Sequence, residues 1–126
     1  MEDIKRYNID NLGGHIIDQW GTYKRNKRDI VKKIKYNNKI YKMIRNLDGF
    51  YNKALIYQNV KNSSNYILLS YETIVAEYNG EYMTIYGYYS QTTTKHINAF
   101  LERFGFKGMS KSEMLQNINK KIYFNN

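Results

Sequence analysis

From Phe50 to Tyr86 short apolar runs such as Ala54 to Tyr57 and Tyr66 to Leu69 are separated by polar, turn-forming residues, which predicts a run of strands. Phe50 to Val60 and Tyr66 to Tyr71 read as two of them, separated by the polar loop Lys61 to Asn65. Tyr71 to Tyr78 and Glu81 to Tyr86 then flank Asn79-Gly80, a dipeptide suited to a two-residue type I′ turn. That turn pairs Tyr78 with Glu81, Ala76 with Met83 and Ile74 with Ile85, giving one apolar face and one rich in tyrosine.

The period then changes. Ser90 to Thr94 is a hydroxyl cluster suited to a helix start, and Ile97, Phe100, Leu101 and Phe104 follow at helical spacing before Gly105. A helix over Thr94 to Phe104 is expected. Ser110 and Glu113 have capping-box spacing ahead of Met114, Leu115, Ile118 and Ile122, which predicts a last helix that completes the core or offers an apolar face to a partner.

Upstream the pattern is less decisive. The first 23 residues, with Gly13-Gly14 and the single Trp20, read as an irregular or short helical arm. Ile30, Ile34, Tyr41, Ile44 and Leu47 recur at near-helical spacing with lysines between them, which favours an amphipathic helix. The alternative is a pair of strands, Val31 to Tyr36 and Lys39 to Ile44, joined at Asn37-Asn38, because Asn tolerates positive φ. Asp48-Gly49 marks a stop. The expected architecture is a single α+β domain: a basic, helical N-terminal region over 1–47, a sheet-plus-helix module over 48–104, and a C-terminal helix over 105–126. Its core is a small antiparallel sheet with an Asn-Gly hairpin flanked by two to three helices.

Composition agrees with one folded unit, since 126 residues give room for one domain and 42% of them are hydrophobic. There is no cysteine, so neither a disulfide framework nor a thiolate metal site is available. No apolar run approaches the roughly 20 residues of a membrane span, and the charged start Met1 to Arg6 is not a leader. The expected location is the cytoplasm, with no membrane partner.

Charge changes the picture more. The net charge of +9 divides into +7 over residues 1–47, −1 over 48–104 and +3 over 105–126. Lys24, Arg25, Lys27, Arg28, Lys32, Lys33, Lys35, Lys39, Lys42 and Arg45 fall in one 22-residue stretch whose only acid is Asp29. A field of that sign concentrates phosphates, which makes nucleic acid the first candidate partner and a solvated lysine face the plain alternative. Tyr23, Tyr36 and Tyr41 lie in or beside the run, and rings among cations stack bases in single-strand binders. Packing explains the same rings.

A second candidate is an anion site at Thr93, Thr94, Lys95 and His96, where a helix start would offer free N–H groups. N-capping by Ser90, Thr92 or Thr93 is the competing explanation. Catalysis has little support. His15 and His96 are the only histidines and no second histidine stands at metal-ligand spacing from either. Ser90, His96 and an aspartate lack a nucleophile elbow. Asp3 and Lys5 have no upstream strand and acid to share a metal, and Glu72, Glu77 and Glu81 read as hairpin surface. No cofactor, metal or catalytic residue is expected.

The segment Ser70-Tyr71-Glu72-Thr73, followed by Tyr89-Ser90-Gln91-Thr92-Thr93-Thr94-Lys95-His96 and Phe100, resembles the signature S-Y-x-T, hairpin, Y-S-x-T-T-x-K-H of a family of small proteins from phages and conjugative elements of Firmicutes. The resemblance covers Tyr66 to about Phe104 and implies a mobile-element setting but no activity. The layout is also similar to that of small phage inhibitors of bacterial nuclease defences, including anti-CRISPR proteins. Together these readings lead to an expectation of a non-enzymatic phage or mobile-element protein. It binds nucleic acid or a host nucleoprotein, a Cas nuclease among them, and inhibits a defence nuclease. The alternatives are a stand-alone DNA- or RNA-binding regulator and an interaction protein with no nucleic-acid contact.

Overall fold

The computed structural model describes residues 31–124, together with the backbone of three short strands, Ile4–Lys5 (β1), Tyr7–Ile9 (β2) and Ile16–Asp18 (β3). A meander follows: β4 (Lys33–Tyr36), β5 (Lys39–Asn46), β6 (Ala54–Asn59), β7 (Tyr66–Ser70), β8 (Thr73–Tyr78) and β9 (Tyr82–Ile85). Two helices, α1 (Gln91–Arg103) and α2 (Lys111–Gln116), lead to a last strand, β10 (Ile122–Tyr123). Strands β4 to β10 form seven antiparallel neighbours in the order β4-β5-β6-β7-β8-β9-β10, and β1 adds in parallel outside β4. Strands β2 and β3 pair separately. The class is α+β, with the sheet dominant.

The expected helix between Lys24 and Arg45 is not formed over its described part. Residues 33–46 are two strands, and Tyr36 pairs with Lys39 across Asn37 (φ 56) and Asn38 (φ 63). Two successive positive φ values define the turn whose twist matches paired strands, and Asn adopts them at low cost. The near-helical spacing misled because alternation is also present: Ile34, Tyr36 and Tyr41 are buried while Lys33, Lys35 and Lys42 are not. The stop expected at Asp48-Gly49 falls between two paired strands: β5 ends at Asn46, Gly49 stands at φ 85, and β6 returns to pair with β5 along Tyr41 to Asn46. The N-terminal arm contributes strands where irregular or helical chain was expected.

Strands β8 and β9 pair, but not through a two-residue turn at Asn79-Gly80. Tyr78 lies opposite Met83 and Ala76 opposite Ile85, two residues out from the expected register. Asn79 Oδ1 accepts hydrogen bonds from the N–H groups of Glu81 and Tyr82 at 2.9 Å, which holds a longer connection with only Gly80 at positive φ. A shift of two keeps every side chain on its face, so the core pattern survives.

Each face of the sheet carries a core. On one, Ala54, Ile56, Leu68, Ala76, Met83 and Ile85 meet α1, whose Thr93, His96, Ile97, Phe100 and Leu101 form a stripe at i, i+3, i+4, i+7 and i+8. Ser90 caps the helix by accepting from Thr93 N–H, and Gly105 (φ 86) closes it, with Gly105 N–H bonded to Glu102 O and Phe106 N–H to Leu101 O. A Cβ on Gly105 would also stand 2.9 Å from the Phe124 ring. The other face packs Ile34, Tyr36, Tyr41, Leu55, Tyr57, Ile67, Leu69 and Ile74 into a second core.

Helix α2 has the expected capping box between Ser110 and Glu113 but ends at Gln116. Ile118 bridges Ile85 and Ile122 pairs with Met83, so the last apolar residues extend the sheet rather than the helix.

Candidate nucleic-acid interface

Strand pleating decides where the cations point. Ile34 and Tyr36 enter the second core, so Lys33 and Lys35 project from the opposite face of β4. Lys42 lies directly across from Lys33 and beside Gln58, on that same face. A bulge between Met43 and Arg45 inserts Ile44 and rephases β5, which returns Arg45, opposite Ile56, to the side of Lys42. Without that extra residue Arg45 would face the second core. This is the side on which α1 lies, but the helix-side core begins at Leu47 and draws no residue from β4 or β5.

Lys33 against Lys42 places like charges at directly opposed positions, which is unfavourable in a sheet. Among the described residues no acidic side chain forms an ion pair with Lys33, Lys35, Lys42 or Arg45. Four cations held by β structure on one face are a fixed array, whereas lysines on a loose arm are not.

The remaining basic positions fall elsewhere. Lys32 is exposed just before β4, and Lys39 is exposed opposite Tyr36, on the other side of the hairpin. Lys24, Arg25, Lys27, Arg28 and Tyr23 lie outside the described residues. Tyr36 is not available for stacking: it is 6% exposed, its ring meets Tyr41 edge-on at 6.2 Å, and burial raises its pKa. Tyr41 is deeper still, donating to Asn65 Oδ1 at 2.7 Å in a network that continues through Asn65 Nδ2 to Glu77, which also accepts from Tyr86. These rings belong to the core.

The four residues considered as an anion site do not converge. Thr94 Oγ1 donates to Ser90 O at 2.8 Å, and Lys95 is exposed on the outer side of α1. Thr93 and His96 turn inward. The Ser70 hydroxyl, at the end of β7, lies 3.0 Å from Thr93 Oγ1 and 2.7 Å from His96 Nδ1, and all three residues are buried. Phe50 packs edge-on to the imidazole at 4.6 Å and Tyr71 tilts against it at 5.5 Å. Burial, with a smaller contribution from nearby Lys53, pushes His96 down to about 4, so the ring is neutral at physiological pH and does not attract anions. Ser70, Thr93 and His96 thus make a polar seam that fastens α1 to the end of the sheet.

That end of the sheet carries a feature missed in the sequence. Tyr51 (φ 54) and Asn52 (φ 66) form a tight turn closed by Lys53 N–H to Phe50 O at 2.9 Å, and Tyr71 (φ 57) opens the turn from β7 to β8. Tyr71 N–H donates to Lys53 O at 2.8 Å, which locks the two turns side by side. Lys53 Nζ sits 5.5 Å from the Tyr71 ring centre. Asn46, Leu47, Asp48, Gly49, Tyr51 and Asn52 line an open hollow of about 350 Å³. Neither turn contains a recognised turn dipeptide, so no local signal announces them.

Among the described residues no helix is long and apolar enough to cross a membrane, and no three His, Cys, Asp or Glu side chains are placed to share a metal ion.

The fold and site define a small antiparallel-sheet protein with one helix-covered face that continues into a basic shelf. Residues 38–116 match the model of a family of unknown function, DUF8033, and the chain belongs to that family. The match takes in β5 through α2, hence Lys39, Lys42, Arg45, the two tyrosine turns and the Ser70–His96 seam, while β4 lies outside it. No curated protein and no solved structure matches the chain.

Proposed function

We propose that this protein is a non-enzymatic nucleic-acid-binding protein whose contact surface is the outer part of the helix-side face, built from Lys33, Lys35, Lys42 and Arg45. The observation that carries this reading is the opposed pair Lys33 and Lys42 on a rigid hairpin, extended along the strand by the bulge that re-aims Arg45. Such an arrangement is unfavourable for the isolated fold and favourable once phosphates sit between the cations. Lys39 and the basic residues upstream of Val31 add to the field that steers a polyanion toward the shelf.

The setting implied by the sequence resemblance adds the proposal of a phage or mobile-element protein acting in the bacterial cytoplasm. There the shelf would engage the nucleic acid of a host defence nucleoprotein and block the nuclease. The alternative is a regulator that binds DNA or RNA alone. Titration of labelled single-stranded and duplex oligonucleotides separates them. A lone regulator binds free oligonucleotide at physiological salt. An inhibitor binds it weakly there and associates with the assembled nucleoprotein, and in both cases charge reversal at Lys33, Lys35 and Lys42 abolishes association. If the reversed protein folds and still associates, the shelf is not the contact surface.

A further inference from the structure

We infer that the hollow beside Tyr51 is a nucleobase site, in which one unpaired base of a bound single strand stacks on the Tyr51 ring. This deepens the reading above and rests on it. Tyr51 is 81% exposed, the most exposed of the large apolar side chains among the described residues, so packing does not hold it in place. Its backbone stands at φ 54, a conformation in which a residue with a bulky side chain is strained and Asn, Asp or Gly is at ease. Local conformation and solvation therefore both act against tyrosine here, and nothing among the described residues makes good that cost.

The surroundings select a base over other occupants. The hollow is lined by Asn46, Asp48 and Asn52 together with Leu47, Gly49 and Tyr51, and Asn46 Nδ2 is hydrogen-bonded to Asn52 Oδ1, fixing the loop on one side. Asp48 contributes a carboxylate to the lining, which repels phosphate but accepts from a base's amino group. Among the described residues no cation is part of the lining; Arg45, at the end of the basic shelf, and Lys53 adjoin it in sequence, next to Asn46 and Asn52. A strand whose phosphates pass Lys33 on β4 and follow Lys42 and Arg45 along β5 is led toward Asn46 and the hollow it lines. Aromatic side chains flanking a basic track are how sequence-tolerant single-strand binding is built.

The test compares the full-length protein with Tyr51→Asn and Tyr51→Phe by fluorescence anisotropy on labelled single-stranded and blunt duplex oligonucleotides over a salt series. Asn suits the positive φ, so the Asn variant is expected to melt no lower than the parent. Its affinity for the single strand is expected to fall at least about tenfold, with the salt slope and duplex affinity unchanged, while Tyr51→Phe retains binding. Equal single-strand affinity in parent and Tyr51→Asn overturns the nucleobase site and leaves the basic shelf standing. Failure of the parent to bind any oligonucleotide at low salt overturns both.

Discussion

Lowering the pH should loosen the attachment of α1 to the sheet, and the size of the effect follows from His96. The imidazole is 1% exposed, bonded through Nδ1 to Ser70, and held neutral with a pKa of about 4 against 6.5 when unfolded. Because the folded value is the lower, the unfolded chain takes up the proton first. The stability associated with a neutral His96 is complete above pH 6.5 and drains away as the pH falls from 6.5 toward 4. The shift corresponds to about 3 kcal/mol over that window, a large part of the roughly 5–15 kcal/mol that holds a typical domain together. It should appear as a fall in melting temperature of about 10 °C for a chain of this length. The assay is thermal unfolding by circular dichroism at half-unit steps from pH 7.5 to 4.0, with His96→Gln as a reference that retains the titrating carboxylates and lacks the imidazole. The parent should lose more stability than the variant between pH 6.5 and 4.5. Parallel pH profiles would refute the seam, and a parent stabilised at pH 6 by inorganic phosphate would restore the anion-site reading.

Three further outcomes follow from packing, turn geometry and charge. Phe100→Ala, in the centre of the helix-side core with no exposed surface, should cost about 3–5 kcal/mol in urea unfolding; a loss under 1 kcal/mol would mean that α1 does not seat on the sheet. Asn38→Ala should cost about 1 kcal/mol because of its φ of 63, whereas in a helix the same change would be stabilising, so the sign of the effect distinguishes the two. Lys33→Glu should stabilise the fold by up to about 1 kcal/mol, through attraction to Lys42, while weakening oligonucleotide binding; a change that lowers both would attribute the binding loss to misfolding.

Much of the architecture was legible because local signals agreed with tertiary structure. The polar loop between β6 and β7, the Ser90 cap, the capping box at Ser110 and the stop at Gly105 were all readable, since each satisfies its own backbone within a few residues. The failures have a common cause. Residues 33–46 carry apolar side chains at spacings that suit both periods, and only pairing with β6 selects the strand. Ile122 looks helical until Met83 offers it a partner. At the candidate interface the cations themselves were visible, but their grouping was not. Whether Lys39 joins Lys42 or opposes it depends on strand pleat, and the position of Arg45 depends on a bulge that no residue type announces. Tyr51 and Tyr71 were hidden for the opposite reason, as strained turn residues of a kind that turn chemistry argues against.

The most direct test of the basic shelf is the salt dependence of duplex oligonucleotide affinity for the parent and for the triple variant Lys33→Glu, Lys35→Glu, Lys42→Glu. Four phosphate contacts give a logarithmic slope of about −3 to −4, or a loss of roughly a hundredfold between 50 and 200 mM salt. The triple variant, with an unchanged circular dichroism spectrum, is expected to lose most of that slope and bind only at the lowest salt. A folded triple variant with the parent's slope and affinity would contradict the account.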